Sequence, residues 1–258
     1  MALANTRSGS PVVSDVISRF YQESIAGGFT RYDGTVQFYQ RVRAMLAPGQ
    51  VVLDFGAGRG AAYYEDSSPY RRSLRDLRGE RRRIIGADVD PVVRTNPWMD
   101  ESVVIDVFAP LPFPDSTFDL ILSDSTFEHI EDESRIATEL DRILKAGGWI
   151  CARTPNRYGY VAVANRMVPG RFGNSLARSA QTDRKAQDIF PAYYRMNTMR
   201  KLRKLFPTSR YDHLSFAFDS EPRYHFNSRT MFYLLMGVHS LTPPALRNTL
   251  MLYIRKRC

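Results

Sequence analysis

The chain has 258 residues, 43% of them hydrophobic and 12% aromatic, with a formal net charge of +9 and a pI near 9.7. That length fits one α/β core with decorations better than two domains, and the apolar content suffices for a real core. Two cysteines do not make a disulfide framework, and the longest strongly apolar run, Met231 to Val238, is far too short to span a bilayer.

Residues 1–10 are mostly small or polar and are expected to be disordered. Val13, Val16, Ile17, Phe20, Tyr21 and Ile25 recur at helical spacing and stop at Gly27-Gly28, and Val36, Tyr39, Val42 and Leu46 do so before Pro48-Gly49. Val51 to Phe55 reads as a buried strand that runs into Gly56-Ala57-Gly58-Arg59-Gly60, a turn too tight for side chains. Glycines there allow positive φ and let a ligand approach the backbone, and a helix starting at Ala61 would aim its N–H groups at that ligand. The segment from Asp66 to Arg83 reads as an arginine-rich surface elaboration.

A second strand ends at Asp88, and Asp90-Pro91 has the form of an N-cap followed by a first-turn proline. An acid at the end of the second strand of a nucleotide-binding sheet accepts hydrogen bonds from ribose hydroxyls. Asp88 stands 28 positions beyond Gly60, more than the spacing of about 20 in dinucleotide folds, which leaves Asp90 as the alternative ribose acid. Ser102 to Val107 gives a third strand containing Asp106. Phe118 to Ser123 gives a fourth after a proline-broken loop. A helix ending on Gly147-Gly148 leads to a fifth, Trp149 to Arg153. Such alternation calls for a parallel sheet covered on both faces, with ligands beyond the carboxyl ends of the strands. Past Thr154 the periodicity weakens through an aromatic and arginine-rich insertion. A strand at Leu214 to Phe218, a helix near Ser228 to Val238 and a last strand near Thr249 to Ile254 follow.

The stretches Leu53 to Gly60, Gly86 to Pro91, Leu111 to Ile130 and Leu140 to Trp149, with Asp106 between them, resemble class I S-adenosylmethionine-dependent methyltransferases of the type-11 group, in family order over residues 48–156. The resemblance implies a Rossmann-like, doubly wound, mostly parallel seven-stranded sheet with an antiparallel last strand. It divides the single domain, residues 11–258, into an N-terminal helical lid (11–48), a cofactor-binding core (49–156), an acceptor-side insertion (157–213) and C-terminal strands and helix (214–258). It implies S-adenosylmethionine as cofactor. Asp54, Phe55, Gly56, Ala57, Gly58 and Gly60 would hold its methionine part, Asp88 and Val89 the ribose, Asp106 and Val107 the adenine, and Ser123, Asp124 and Ser125 the edge after strand four. Tyr21 and Tyr32 would be lid residues, with a plain core or surface role as the alternative.

Between Ser123 and His129 the chain lacks the Asn/Asp-Pro-Pro-Tyr/Phe signature of many amino-methylating relatives, which argues against nucleobase or glutamine methylation. His129 is the candidate base, because imidazole titrates near neutral pH, against a structural role of equal weight. Glu128-His129 is similar to the Glu-x-x-Glu-His pattern of metal-using relatives, but Ser125 stands at the first acid, so no metal is expected. Thr154 to Tyr160 and Phe190 to Thr198 resemble segments of bacterial methyltransferases of polysaccharide assembly. The expectation is therefore O-methylation of a hydroxyl on a small molecule or glycan, phosphorylated and lipid-linked forms staying open, with Tyr32, Glu128, Arg153, Asn156, Tyr193, Tyr194 and Arg195 as acceptor residues. Methylation of a quinone or phenol is one alternative. An RNA-directed methyltransferase or RNA-binding protein is another, motivated by charge, and a dinucleotide oxidoreductase is disfavoured by the glycine spacing. Of the 36 basic residues only five are lysines, which points to arginine-biased coding. Two basic clusters, Arg71 to Arg83 and Arg195 to Arg210, still leave open an anionic membrane surface or RNA as partner; DNA is not expected. With no secretory h-region near the start, a cytoplasmic location is expected.

Overall fold

The computed structural model describes residues 15–167, 190–222 and 228–258. The stretch expected to be disordered, 1–10, and residues 168–189 of the expected insertion lie outside the described residues. In chain order the elements are α1 (Asp15–Phe20), α2 (Gly34–Met45), β1 (Val51–Phe55), α3 (Ala61–Glu65), α4 (Pro69–Arg75), β2 (Arg83–Asp88), β3 (Glu101–Val104), β4 (Phe118–Asp124), α5 (Glu133–Ile143), β5 (Leu144–Pro155) and α6 (Tyr160–Met167). Then come α7 (Met199–Leu205), β6 (Tyr211–His213), β7 (Phe216–Phe218), α8 (Arg229–Leu241) and β8 (Thr249–Lys256). The sheet order is β3-β2-β1-β4-β5-β8-β6, with β7 also paired to β8. The first five strands are parallel, and β8 runs antiparallel to β5, β6 and β7. β6 and β7 share the outer edge of β8, so the sheet has seven positions, the last one interrupted.

The period of two along each strand splits the core into two layers. Leu53, Phe55, Ile85, Ile121, Ile150 and Leu252 face Ile136, Leu140 and Ile143 of α5 and Leu202 of α7. Val52, Ile84, Leu120, Leu122, Cys151 and Met251 face Val36, Phe38, Tyr39 and Val42 of α2 and Leu74 of α4. Both faces are thus dry, as a parallel sheet requires. A small third cluster joins Val16 and Tyr21 to Phe232 of α8. No helix among the described residues is long and apolar enough to cross a membrane.

Several boundaries differ from the sequence reading. The first helix stops at Phe20; the chain leaves helical geometry at Tyr21, whose buried ring packs on Phe232 and whose hydroxyl meets Met236 Sδ, and a 3-10 turn covers Gln22–Ile25. α5 ends at Ile143, before Gly147-Gly148, because Leu144 already pairs with Phe118. Pairing then jumps to Leu120 with Trp149, so Lys145 to Gly148 bulge out at a positive φ on Gly147. β3 ends at Val104, which leaves Asp106 in the following loop. The strand expected at Leu214 to Phe218 shortens to β7, Phe216–Phe218, and β6, Tyr211–His213, precedes it.

Asp33 caps α2: Oδ1 accepts from the N–H groups of Thr35 and Val36 at 2.9 and 3.0 Å, while Oδ2 takes Arg71 Nη1 at 3.1 Å, with the carboxylate 1% exposed. Asp33→Ala is expected to lower the unfolding free energy by about 2 kcal/mol through the lost cap and ion pair, read by urea denaturation. Asp33→Asn, which keeps the cap, should lose less.

Candidate active site

The glycine turn after β1 opens onto a cavity of about 780 Å³ at the carboxyl ends of the strands. Gly56, Gly58 and Gly60 all have positive φ. A Cβ at Gly56 would strike the Thr126 side chain and one at Gly60 would strike Asn96, whereas at Gly58 it would meet no protein atom within 4 Å. The turn is therefore packed shut on two sides and open at Gly58. Asp88 fixes it from β2: Oδ2 accepts from Gly58 N at 2.8 Å and Oδ1 from Asp90 N at 2.9 Å, with lone pairs left on both oxygens. Asp90 does not line the cavity and caps the next turn through Val92 N.

Of the expected cofactor residues, Phe55, Gly56, Ala57, Gly58, Gly60, Asp88, Val89, Asp106, Val107, Asp124 and Ser125 line this cavity. Ser123 does not; it is buried within β4, 1% exposed. Asp54 lies under the turn, outside the lining, on the same side of the sheet as Asp124. Val89, Ile105 and Phe108 add apolar walls of the kind a flat ring needs, and Thr126, Ile130, Asp132 and Ile136, not singled out in sequence, complete it. The space, the open Gly58 and the paired ribose-type acid fit an adenosyl amino acid.

Charge fits as well. Removal from water, then the charges of Asp124 and Asp88, push the Asp54 carboxyl up to about 7, with Arg75 opposing. Three carboxylates in one neighbourhood favour a cationic ligand. Asp124 is itself ionised: burial opposes that, but Arg153 and Arg75 outweigh it and hold its carboxyl well below the usual range. Arg153 donates Nε and Nη2 to it at 2.8 Å each, Arg75 Nη1 at 3.0 Å and the Tyr39 hydroxyl at 3.1 Å.

Behind these arginines lies a second cavity of about 260 Å³, whose lining includes Thr35, Arg75, Arg153, Tyr160, Glu221 and His239. Ser125 lines both cavities. It has φ +64°, and its N–H is held by Arg153 O at 2.8 Å, a strained conformation of the kind found where a site imposes it.

Of the expected acceptor residues, Arg153 lines the smaller cavity and Tyr193 the larger. The other five line neither. Glu128 is 4% exposed, its Oε2 accepting from Thr154 Oγ1 at 2.8 Å. Asn156 is 2% exposed and donates to Ala245 O and Arg247 O, tying β5 to the loop before β8. Tyr194 is buried at positive φ with its N–H on Glu128 O, Arg195 turns outward to Glu131 O, and the exposed Tyr32 leans at a tilt on the buried Tyr21. His129 lines the larger cavity, where its Nδ1 donates to Pro191 O at 2.7 Å and its Nε2 is 3.9 Å from Glu128. Sequence reasoning missed Thr35, Arg75, Tyr160, Glu221 and His239, which come from five separate segments.

The first basic cluster is largely neutralised at short range: Arg71 by Asp66 and Asp33, Arg75 by Asp124, Arg78 by Asp76, Arg82 by Glu80 and Arg83 by Glu101. In the second, Lys201 meets Glu133 and Arg210 meets Asp141. Among the described residues no three of His, Cys, Asp and Glu converge as a metal site.

Residues 53–152 match a family model described as a methyltransferase domain. The chain is 30% identical over 134 residues to the sarcosine/dimethylglycine N-methyltransferase of Halorhodospira halochloris, covering 49% of this chain and 44% of that protein. It is 32% identical over 124 residues, 46% of this chain and 43% of the other, to a Mycolicibacterium smegmatis protein named "Probable S-adenosylmethionine-dependent methyltransferase". The match thus spans under half the length of each. Among solved structures, a geranyl diphosphate methyltransferase in complex with GPP and sinefungin aligns with TM-score 0.51 at 13% identity, over 87% of this chain and 76% of that one. The [4+2]-cyclase SpnF aligns with TM-score 0.52 at 16% identity, over 94% of each. At these identities the likeness is one of fold, and it includes a protein named for a different reaction.

Calorimetry with S-adenosylhomocysteine is expected to show binding that Gly58→Val abolishes. Asp88→Ala should weaken it by roughly 1.5–3 kcal/mol, the range for hydrogen bonds to a charged group, and Asp90→Ala should leave it nearly intact; a larger loss at Asp90 would reassign the ribose acid. Because the Asp54 carboxyl is raised to about 7, it becomes an anion only as pH climbs through that value. Affinity for the ligand's ammonium should therefore rise from pH 6 to 8 and then level off, and Asp54→Asn should flatten the curve.

Proposed function

We propose that the protein is a class I S-adenosylmethionine-dependent methyltransferase, a reading supported by the match of residues 53–152 to a methyltransferase domain and by the two relatives, and that it methylates a hydroxyl of a small polar acceptor, such as one sugar unit of a glycan, seated in the smaller cavity. The observation that carries this reading is the shared wall at Ser125, which brings an acceptor in one cavity against a cofactor in the other. Bound S-adenosylmethionine supplies a sulfonium methyl whose transfer leaves the carbon–sulfur bonding pair on a neutral thioether.

The chain's own residues do the rest. Gly56 to Gly60 and Asp88 position the cofactor, the acids around Asp54 favour its positive charge, and Ser125 forms the wall that both cavities share. About 260 Å³ equals about nine water volumes, room for one pyranose-sized group. Polar and apolar groups share the lining, with Thr35, Glu221, His239 and Asn248 among the polar ones, which suits a hydroxyl-bearing ring better than the flat apolar ring of a quinone or phenol. Its charge is balanced, with Arg75 and Arg153 set against Asp124 and Glu221. A carboxylate such as that of sarcosine would compete with Asp124 for guanidiniums already engaged, so a neutral acceptor is favoured. The pairing of the first basic cluster disfavours RNA.

Methyl incorporation from labelled cofactor, followed into separate saccharide, lipid and RNA fractions and into sarcosine, tests the reading. Label on a saccharide hydroxyl is the expected result; label confined to RNA or to sarcosine contradicts it.

A further inference from the structure

A hydroxyl is a weak nucleophile until its proton is taken, so an O-methylating site needs a base within reach of the acceptor oxygen. His129, the base expected from sequence, is absent from the lining of the smaller cavity. The 3-10 turn Phe127–His129 aims it toward Pro191, and its Nδ1 proton is committed there. The smaller cavity has an imidazole of its own. His239, near the end of α8, lies with Nε2 3.1 Å from the hydroxyl of Tyr160 in the first turn of α6, and both side chains line the cavity.

We propose that Tyr160 and His239 form a proton relay for the methyl acceptor, an inference that rests on the acceptor occupying this cavity. Tyr160 Oη accepts the acceptor's hydroxyl proton while its own proton passes to His239 Nε2. The acceptor oxygen keeps the bonding pair and joins the methyl carbon, and the positive charge ends on the imidazolium. Tyr160 is the catalytic residue and His239 the positioning base behind it.

The surroundings suit this division. Burial lowers the His239 pKa below its ordinary value, so the ring is neutral and able to accept at physiological pH. Asp219 opposes that shift and so favours the imidazolium once formed. Its Oδ1 is anchored by the Asn248 N–H and Nδ2 at 2.8 Å each, and its Oδ2 is buried without a hydrogen-bond partner among the described residues. The other charged groups in the lining are Glu221, Arg75 and Arg153, the guanidiniums directed at Asp124. Tyr160 ends the Thr154 to Tyr160 segment noted in the sequence, but it stands 79 positions from His239, so no local motif pairs the two.

Two readouts test the relay. In a histidine Cε1–H NMR titration of the whole chain, His239 should titrate below the ordinary range, and Tyr160→Phe should move it up by about half a pH unit, since a donor to the neutral ring is lost. In turnover with methyl glucoside as hydroxyl probe and sarcosine as amine probe, His239→Gln should lower kcat by about 100-fold or more, the usual worth of a general base. It should also erase the acidic limb of the kcat profile measured at saturating cofactor, where the Asp54 titration no longer acts, and leave S-adenosylhomocysteine affinity unchanged. A limb that survives His239→Gln, or a His239 titration that Tyr160→Phe does not move, overturns the relay. Label on sarcosine but not on the glucoside contradicts the hydroxyl reading alone. The sarcosine pH profile still decides the relay, because an ammonium must also lose a proton before it takes a methyl.

Discussion

Asp124 is the constraint on which the site depends. It stands at the end of β4 and is held by Arg153 of β5, Arg75 of α4 and Tyr39 of α2, while Arg153 Nη1 also takes Thr35 Oγ1 at 2.9 Å. Four elements from distant parts of the chain thus meet on one carboxylate. A buried ion cluster of this kind adds little net stability over an apolar core, but losing one partner strands the others' charges. Its value here is geometric. The carboxylate faces the larger cavity and the guanidiniums face the smaller, so the cluster is the partition between them, and Ser125, which lines both, is where they meet.

The sheet topology explains where that partition falls. Strand order runs outward from β1 to β3 on one side and from β4 to β5 on the other, so the crevice between the ends of β1 and β4 is the switch point at which doubly wound sheets bind ligands. Gly56 must approach Thr126 across this crevice, which leaves no room for a side chain, while Gly58 faces the open space. The antiparallel β8, with β6 and β7 on its outer edge, then brings Asp219, Glu221 and Asn248 beside the end of β5. That is how the smaller cavity acquires a wall from the last forty residues of the chain.

Legibility in the sequence followed the range of the interactions. The turn after β1, the acid ending β2 and the capping role of Asp90 are set by neighbours a few positions apart, and all were readable. The end of α5 was not, because Leu144 is drawn out of the helix by Phe118, a partner in another strand. Glu128 and Asn156 have the chemistry of acceptor residues, yet each is consumed by a buried hydrogen-bonding role that only the tertiary fold creates. Arg75 looked like part of a solvated basic run and is instead a buried partner of Asp124. For His239, nothing within several residues signals function; its partner is on α6.

The central claim is that cofactor and acceptor occupy two cavities that meet at Ser125, and a crystal structure of the complex with S-adenosylhomocysteine tests it most directly. The account requires the amino acid part over Gly58, the ribose on Asp88, the adenine between Val89 and Phe108, and the thioether sulfur at Ser125 facing the cavity of Arg153, Tyr160 and His239. A ligand bound with its sulfur turned away from Ser125, or bound outside the larger cavity, would contradict it.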